Sequence, residues 1–370
     1  MNQRIRGASG LTLLLTLTLL ATPFTTPSVA HAQAEPGTLL VVSKPPPPTV
    51  PSDPRQGLVF SAPFNMAASS ITFDLSAVAE ATGVPKGLEY LRLDAAGDAY
   101  ITFSGGPEAS PGGVMVVEDF LDRETFDPAR DRLITGEATG LVSPKDLVVV
   151  GNAGVIIVAD FAEAQVATFD TEARGSAAPR FVTTALGTTE AGEPRRPWGL
   201  AFDAATDRLF IGGTDGKVLV FDDYLARRGE GGPSRIITPT LEGQQASANV
   251  HDLVYLKDED VLIATDVGAA TTADQPGFDT DGKVFLLGNA SAASGDTEVE
   301  VQLAGPSTLL GNPVGAASDG IDLFITEKAR DTVLRFSGVL ELSGAVDAAP
   351  TGAVTVAKPE AVALVSGGAD

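Results

Sequence analysis

Residues 196–222 read RPWGLAFDAATDRLFIGGTDGKVLVFD, and this stretch decides the fold. It divides into three short strands and two tight turns. Residues 201–203 close the first strand, 209–213 form the second and 217–221 the third. Asp215-Gly216 lies between two apolar runs, and glycine supplies the positive φ that such a hairpin turn needs. The runs are rich in Val, Ile, Leu and Phe and too short for helices of that composition.

The unit recurs. Six positions open a first strand: Pro85-Lys86-Gly87-Leu88, Pro144-Lys145-Asp146-Leu147, Pro197-Trp198-Gly199-Leu200, Val250-His251-Asp252-Leu253, Pro313-Val314-Gly315-Ala316 and Pro359-Glu360-Ala361-Val362. Their spacing, 46 to 63 residues, is that of a blade in a radial repeat. Second strands are predicted at 100–103, 156–159, 209–212, 261–265 and 323–326, and third strands at 114–117, 165–169, 217–221, 283–287 and 332–336. Outer strands fit 132–135, 180–184, 235–238, 299–303 and 353–356. Five units are complete. The last is split between the chain ends. Residues 359–365 supply its first strand, 57–60 its second and 71–75 its third, with 39–42 as a candidate fourth. The prediction is therefore an all-β fold of six four-stranded antiparallel blades, closed by a blade shared between N- and C-terminal strands.

The pattern resembles the six-bladed β-propellers of the NHL-repeat and gluconolactonase-like kind over about residues 57–365. The resemblance rests on the P-x-[GD]-L strand starts and on G-K-V-x-[VL]-[FL] at Gly216 and Gly282. It implies a central channel whose mouth is lined by the residues after each start. Gluconolactonase-like relatives hydrolyse lactones there with a divalent metal, held by carboxylate and Asn ligands. Lys86 and Trp198 stand where those ligands are expected, and two lysines nearby oppose a cation.

Outside the repeat, residues 1–32 read as a secretory signal peptide. Arg4 and Arg6 precede the apolar run LTLLLTLTLL, and Ala30-His31-Ala32 suits cleavage before Gln33. Residues 33–56 read as a Pro-rich linker and 366–370 as a disordered tail. The expected location is extracytoplasmic, with no transmembrane segment left after cleavage and a monomer as the working form.

Charge and composition narrow the function. The chain of 370 residues carries 25 Lys+Arg against 48 Asp+Glu, and losing Arg4 and Arg6 takes its net charge from −23 to −25. That argues against nucleic acid and anionic membranes as partners. There is no Cys, so disulfides, Cys-held metals and a lipid anchor on Cys are excluded. After cleavage His251 is the one histidine, which excludes a multi-His zinc site. No G-x-S-x-G, H-E-x-x-H or phosphate loop occurs.

The predicted ligand site is the mouth, ringed by Lys86, Lys145, Asp146, Trp198, His251, Asp252 and Glu360. A structural reading stands beside it: Asp146 and Asp252 cap local turns, and lysines pair with Glu360. The long loop 267–281 adds Asp274, Asp279 and Asp281 as weak calcium candidates, although the EF-hand spacing fails there. The leading expectation is a binding or interaction module for a small molecule, glycan or protein, without a cofactor. A calcium-dependent hydrolase or lactonase and a structural envelope protein are the alternatives.

Overall fold

The computed structural model describes residues 38–44, 59–63, 73, 87–105, 111–269 and 281–365. All lie in the compact unit Gln33–Asp370. Blade 1 runs outward through Gly87–Leu93, Ala99–Ser104, Gly113–Val117 and Arg132–Thr135. Blade 2 uses Pro144–Val150, Val155–Asp160, Gln165–Asp170 and Phe181–Thr183. Blade 3 uses Pro197–Asp203, Arg208–Gly213, Val218–Phe221 and Arg235–Leu241, with Gln244–Gln245 beyond. Blade 4 uses Val250–Leu256, Val261–Asp266, Lys283–Leu287 and Val301–Leu303. Blade 5 uses Pro313–Ser318, Asp322–Glu327, Thr332–Ser337 and Gly352–Thr355. A closing sheet pairs Pro359–Leu364 with Thr38–Ser43 and then Val59–Pro63.

The innermost strands of the five blades and of the closing sheet pack side by side in sequence order, and Pro359–Leu364 packs against Gly87–Leu93. The circle is closed, and the chain is a β-propeller. Its core lies between successive sheets. Leu209, Ile211, Leu219 and Phe221 of blade 3 meet Val155, Ile157 and Ala159 of blade 2, for example. Strands buried on both faces read as continuous apolar runs, which is why VIIVA, LFI and VFLL lack strict alternation. The rim is stitched as well. Gly295–Glu298 pairs with the outer strand of blade 3, and Gly344–Val346 with that of blade 4, so those edges offer no open ladder.

Three expectations need correction. Where six four-stranded blades are predicted, five sheets have four strands or more and the closing sheet has three among the described residues. Leu39–Val42, predicted as an outer strand within a linker, belongs to the central strand of that sheet. Leu39 pairs with Leu364 and Val41 with both Val362 and Phe60. All four side chains of LLVV are buried, as a strand covered on both faces requires. Residues 59–63 therefore take the third place, and the predicted strand 71–75 lies outside the described residues except for Phe73. That ring is buried 5.1 Å from Phe120. The third correction concerns blade 1. Its ladder shifts between Leu88 and Leu91, as those of blades 2 and 3 shift between Pro144 and Leu147 and between Pro197 and Leu200. Leu88, not Pro85, is thus the equivalent strand start. Three residues of Pro-Lys-Gly mimicked the motif ahead of the real one.

A buried acid at the end of the second strand recurs in three blades. Asp160 accepts the amides of Val142, Ser143, Ala162 and Glu163. Asp266 accepts those of Ala248, Asn249 and Gly268, and Glu327 those of Gly311, Asn312 and Ala329. Each carboxylate ties the loop leading into the first strand to the turn that follows the second. Asp160→Ala orphans four N–H donors and should lower stability by about 2–3 kcal/mol in urea denaturation. A loss below about 0.5 kcal/mol would mean the loops hold themselves.

Candidate functional site

The bulge just inside each inner strand builds the site. On a regular strand, successive side chains face opposite ways. The shift between Val250 and Asp252 breaks that rule, so His251 and Asp252 both meet residues from other blades. The first bulge position carries Glu89, Lys145, Trp198, His251, Val314 and Glu360 around the circle. The second carries Tyr90, Asp146, Gly199, Asp252, Gly315 and Ala361. Two layers result.

The deeper layer is a plug. Arg92 reaches from blade 1 to the Leu147 carbonyl at 3.2 Å, to Asp146 Oδ2 at 3.3 Å and to Asp252 Oδ1 at 3.6 Å. Tyr90 donates its hydroxyl to Asp252 Oδ2, and the Arg92 guanidinium lies 4.4 Å from the Tyr90 ring centroid. Blade 1 is thereby bound across the axis to blades 2 and 4. The aspartates also join neighbours. Asp146 Oδ2 accepts Leu200 N at 2.7 Å from blade 3, and Asp252 Oδ2 accepts Ala316 N at 2.6 Å from blade 5. Glycine stands at this position in blades 3 and 5, where backbones touch instead. A Cβ on Gly199 would lie 2.6 Å from Asp252 Cα, and one on Gly315 would lie 2.8 Å from the Glu360 carbonyl oxygen. That alternation is the physical content of the [GD] in the strand-start motif.

Burial pushes Asp146 up to about 7; Arg92 opposes the rise and Asp252 adds to it. Asp252 is pushed up for the same first reason, with Arg92 and the Tyr90 hydroxyl pulling it back. Burial drives the Tyr90 hydroxyl well above its ordinary range. These groups are structural acids enclosed under the mouth.

The outer layer is the mouth itself. Glu89 accepts from Lys44 at 2.5 Å, from Lys145 at 3.0 Å and from the Ser104 hydroxyl. Glu360 pairs with Lys328, and Lys44 stands 3.8 Å from it. Burial alone would raise Glu89, but Lys145 and Lys44 hold it below the usual carboxylate range. Glu360 goes the other way: burial raises it, Lys328 opposes, and the Glu89 charge adds to the rise. Trp198 stacks on His251 with ring centroids 3.9 Å apart and planes 15° apart. Lys145 Nζ lies 4.9 Å from the Trp198 centroid, and the Phe161 ring meets Trp198 edge-on at 5.2 Å. His251 is 8 % exposed, and its Nδ1 has no hydrogen-bond partner among the described residues. Burial, then the charges of Lys145 and Lys328, lower its pKa to about 3, so the ring is neutral at physiological pH.

Of the predicted site residues, Lys145, Trp198, His251 and Glu360 meet in the mouth. Asp146 and Asp252 belong to the plug beneath it and face no ligand space. Lys86 lies outside the described residues, and Glu89 holds the ring position assigned to it. Lys44, Lys328 and Glu89 went unrecognised. Lys44 follows the misplaced strand 38–43, and Lys328 sits on the turn after a second strand. Asp274 and Asp279 lie outside the described residues. Asp281 accepts the Ala269 amide at 3.0 Å, and no group of three or more metal-ligating side chains is present among the described residues. An off-axis pocket of about 220 Å³, lined by Glu190, Asp215, Lys217 and Gln245, has its charges already paired.

Comparison with known proteins places this geometry. No protein-family model matches the chain, and no curated protein matches its sequence. Solved structures do match. A chain of the nidogen/laminin complex aligns at TM-score 0.55 and 14 % identity, over 88 % of this chain and 97 % of that one. A protein from Lactobacillus plantarum aligns at 0.52 and 12 %, over 90 % and 100 %. The periplasmic gluconolactonase of Pseudomonas aeruginosa aligns at 0.51 and 14 %, over 89 % and 99 %. The likeness is one of fold. It agrees with the β-propeller architecture, and the activity has to be argued from the mouth.

Proposed function

We propose that this chain is an extracytoplasmic ligand-binding propeller whose site is the mouth formed by Lys44, Glu89, Lys145, Trp198, His251, Lys328 and Glu360. One observation carries the reading: a buried, neutral histidine with an unpaired Nδ1 stands among five converging charges. Buried polar atoms are almost always paired, so such an atom beside convergent polar groups marks a place for a ligand. The fold neighbours include both a chain of a protein complex and a gluconolactonase, so fold alone leaves a binding module and a hydrolase open. The mouth's charge favours binding without a metal. Both carboxylates already hold ammonium groups, and three lysines oppose a divalent cation, so the residues present do not fit calcium. Signal-peptide features in residues 1–32 support export, and no helix among the described residues is long and apolar enough to cross a membrane.

Trp198 is the only tryptophan, so all indole emission reports on the mouth. Occupancy should change that emission saturably, and Trp198→Phe should abolish the signal, with calorimetry reading what the indole contributes to affinity. Calcium up to about 1 mM should neither change emission nor raise the melting temperature. A calcium shift that chelator reverses would overturn the metal-free reading.

A further inference from the structure

We infer that the mouth takes an organic carboxylate bearing a neutral hydrogen-bond donor close to its charged end. The inference rests on the mouth being the binding site and names the chemistry it selects. Three ammonium groups face two carboxylates there, in a chain whose net charge is −23, so the mouth is a local positive centre in an acidic protein. Such a centre concentrates small anions and repels cations. Lys44 and Lys328 retain the most access, with side chains 30 % and 32 % exposed, against 12 % for Lys145. Both lie beside Glu360, so an incoming carboxylate meets two ammonium groups without displacing the buried Glu89–Lys145 pair.

His251 supplies the second half. A neutral imidazole has one N–H and one bare nitrogen. Burial, with the charges of Lys145 and Lys328 added to it, keeps the ring unprotonated. Nδ1, buried and unpaired, is assigned as the bare nitrogen that accepts the ligand's hydrogen bond, and an ammonium-bearing ligand is the wrong donor because the lysines repel it. A hydroxyl or amide N–H next to a carboxylate satisfies both ends at once. Two sources share this chemistry: a hydroxy acid and the C-terminal residue of a peptide. Trp198 adds no free stacking face, since His251 covers one side and Lys145 approaches its ring, so an aromatic group is not required.

The test titrates the full chain at low salt and follows Trp198 emission. The probes are propionate, 2-hydroxypropionate, N-acetylglycine, glycerol and ethylamine. The expected order places 2-hydroxypropionate or N-acetylglycine about tenfold tighter than propionate, with glycerol and ethylamine silent. Whichever of the two donors binds better identifies the source. Lys328→Gln should weaken every anion about tenfold, while Lys328→Arg retains them, which separates a binding loss from a folding loss. His251→Phe should keep propionate affinity and erase the preference for the donor. Saturable binding of glycerol or ethylamine with no response to the anions overturns the anion assignment and leaves the mouth as the site. Equal affinity for propionate and 2-hydroxypropionate, unchanged by His251→Phe, overturns the donor assignment alone. Silence from all five probes, with the protein folded, removes the mouth reading itself.

Discussion

Arg92→Met is expected to destabilise the protein by about 3–5 kcal/mol at pH 8, a range that follows from breaking a buried ion pair on one side. Arg92 is the only cation bonded to Asp146 and Asp252 among the described residues, and both side chains are fully enclosed. Removing it strands two carboxylates, and the methionine fills volume without satisfying them. The loss should depend on pH with a definite sign. Both acids already have raised pKa values, so the folded state holds protons that the unfolded chain releases near 4. An acid raised in this way contributes stability that is present at low pH and lost as pH rises through its folded value. Without Arg92 that value rises further. The variant should therefore approach the parent at pH 5 and fall away from it toward pH 8. Adding Asp146→Asn and Asp252→Asn should recover most of the loss, since amide oxygens can still accept Leu200 N and Ala316 N. A deficit under about 1 kcal/mol at pH 8 in urea denaturation, or one that does not vary with pH, would show that the plug is not what joins blade 1 across the axis.

Much of this architecture was legible in the chain, because a blade repeats its signals. Asp215-Gly216, the G-K-V third strands and the apolar second strands located the three inner strands of blades 2 to 5 within about two residues, whereas the rim strands Gln244–Gln245, Gly295–Glu298 and Gly344–Val346 were not anticipated. The failures at the strand starts share one cause. Strand-start motifs were read as linear words, whereas their register is set by pairing. Pro85-Lys86-Gly87-Leu88 has the right letters but sits three residues before the bulge, so Glu89, Tyr90 and Arg92 were passed over. These residues supply a mouth carboxylate and the whole basis of the plug. The bulge also explains why His251 and Asp252, adjacent in sequence, both meet residues of other blades. Lys44 was hidden by the Pro-rich stretch that follows it, which made a buried apolar quartet look like a tether. The buried acids Asp160, Asp266 and Glu327 carried a usable signal: an acidic residue closing an apolar second strand in three blades. In a chain with 48 acids that signal needed the alignment of blades to be seen.

Two buried titrations should oppose each other, and single variants should separate them. His251 has a folded pKa of about 3, against an unfolded value near 6.5. Its contribution is complete above pH 6.5 and is lost as pH falls toward 3, because only the unfolded chain takes up the proton in that window. Asp146 runs the other way, from about 4 unfolded to about 7 folded, so its contribution is present in acid and lost as pH rises. Between pH 4 and 6.5 the slopes have opposite signs and similar size, about 1.4 kcal/mol per pH unit each, which leaves these two groups with little net effect in the parent. His251→Phe preserves a ring against Trp198 and removes the acid-side penalty. On going from pH 7.5 to 4.5 it should gain about 2–3 kcal/mol relative to the parent. Asp146→Asn should gain about 3 kcal/mol relative to the parent on going from pH 4.5 to 7.5. Urea denaturation of the three proteins at both pH values measures these differences directly, and the differences cancel every titration the proteins share. If His251→Phe tracks the parent within about 0.5 kcal/mol at both pH values, the histidine protonates freely in the folded state. The mouth would then lack the neutral acceptor on which the choice of ligand depends.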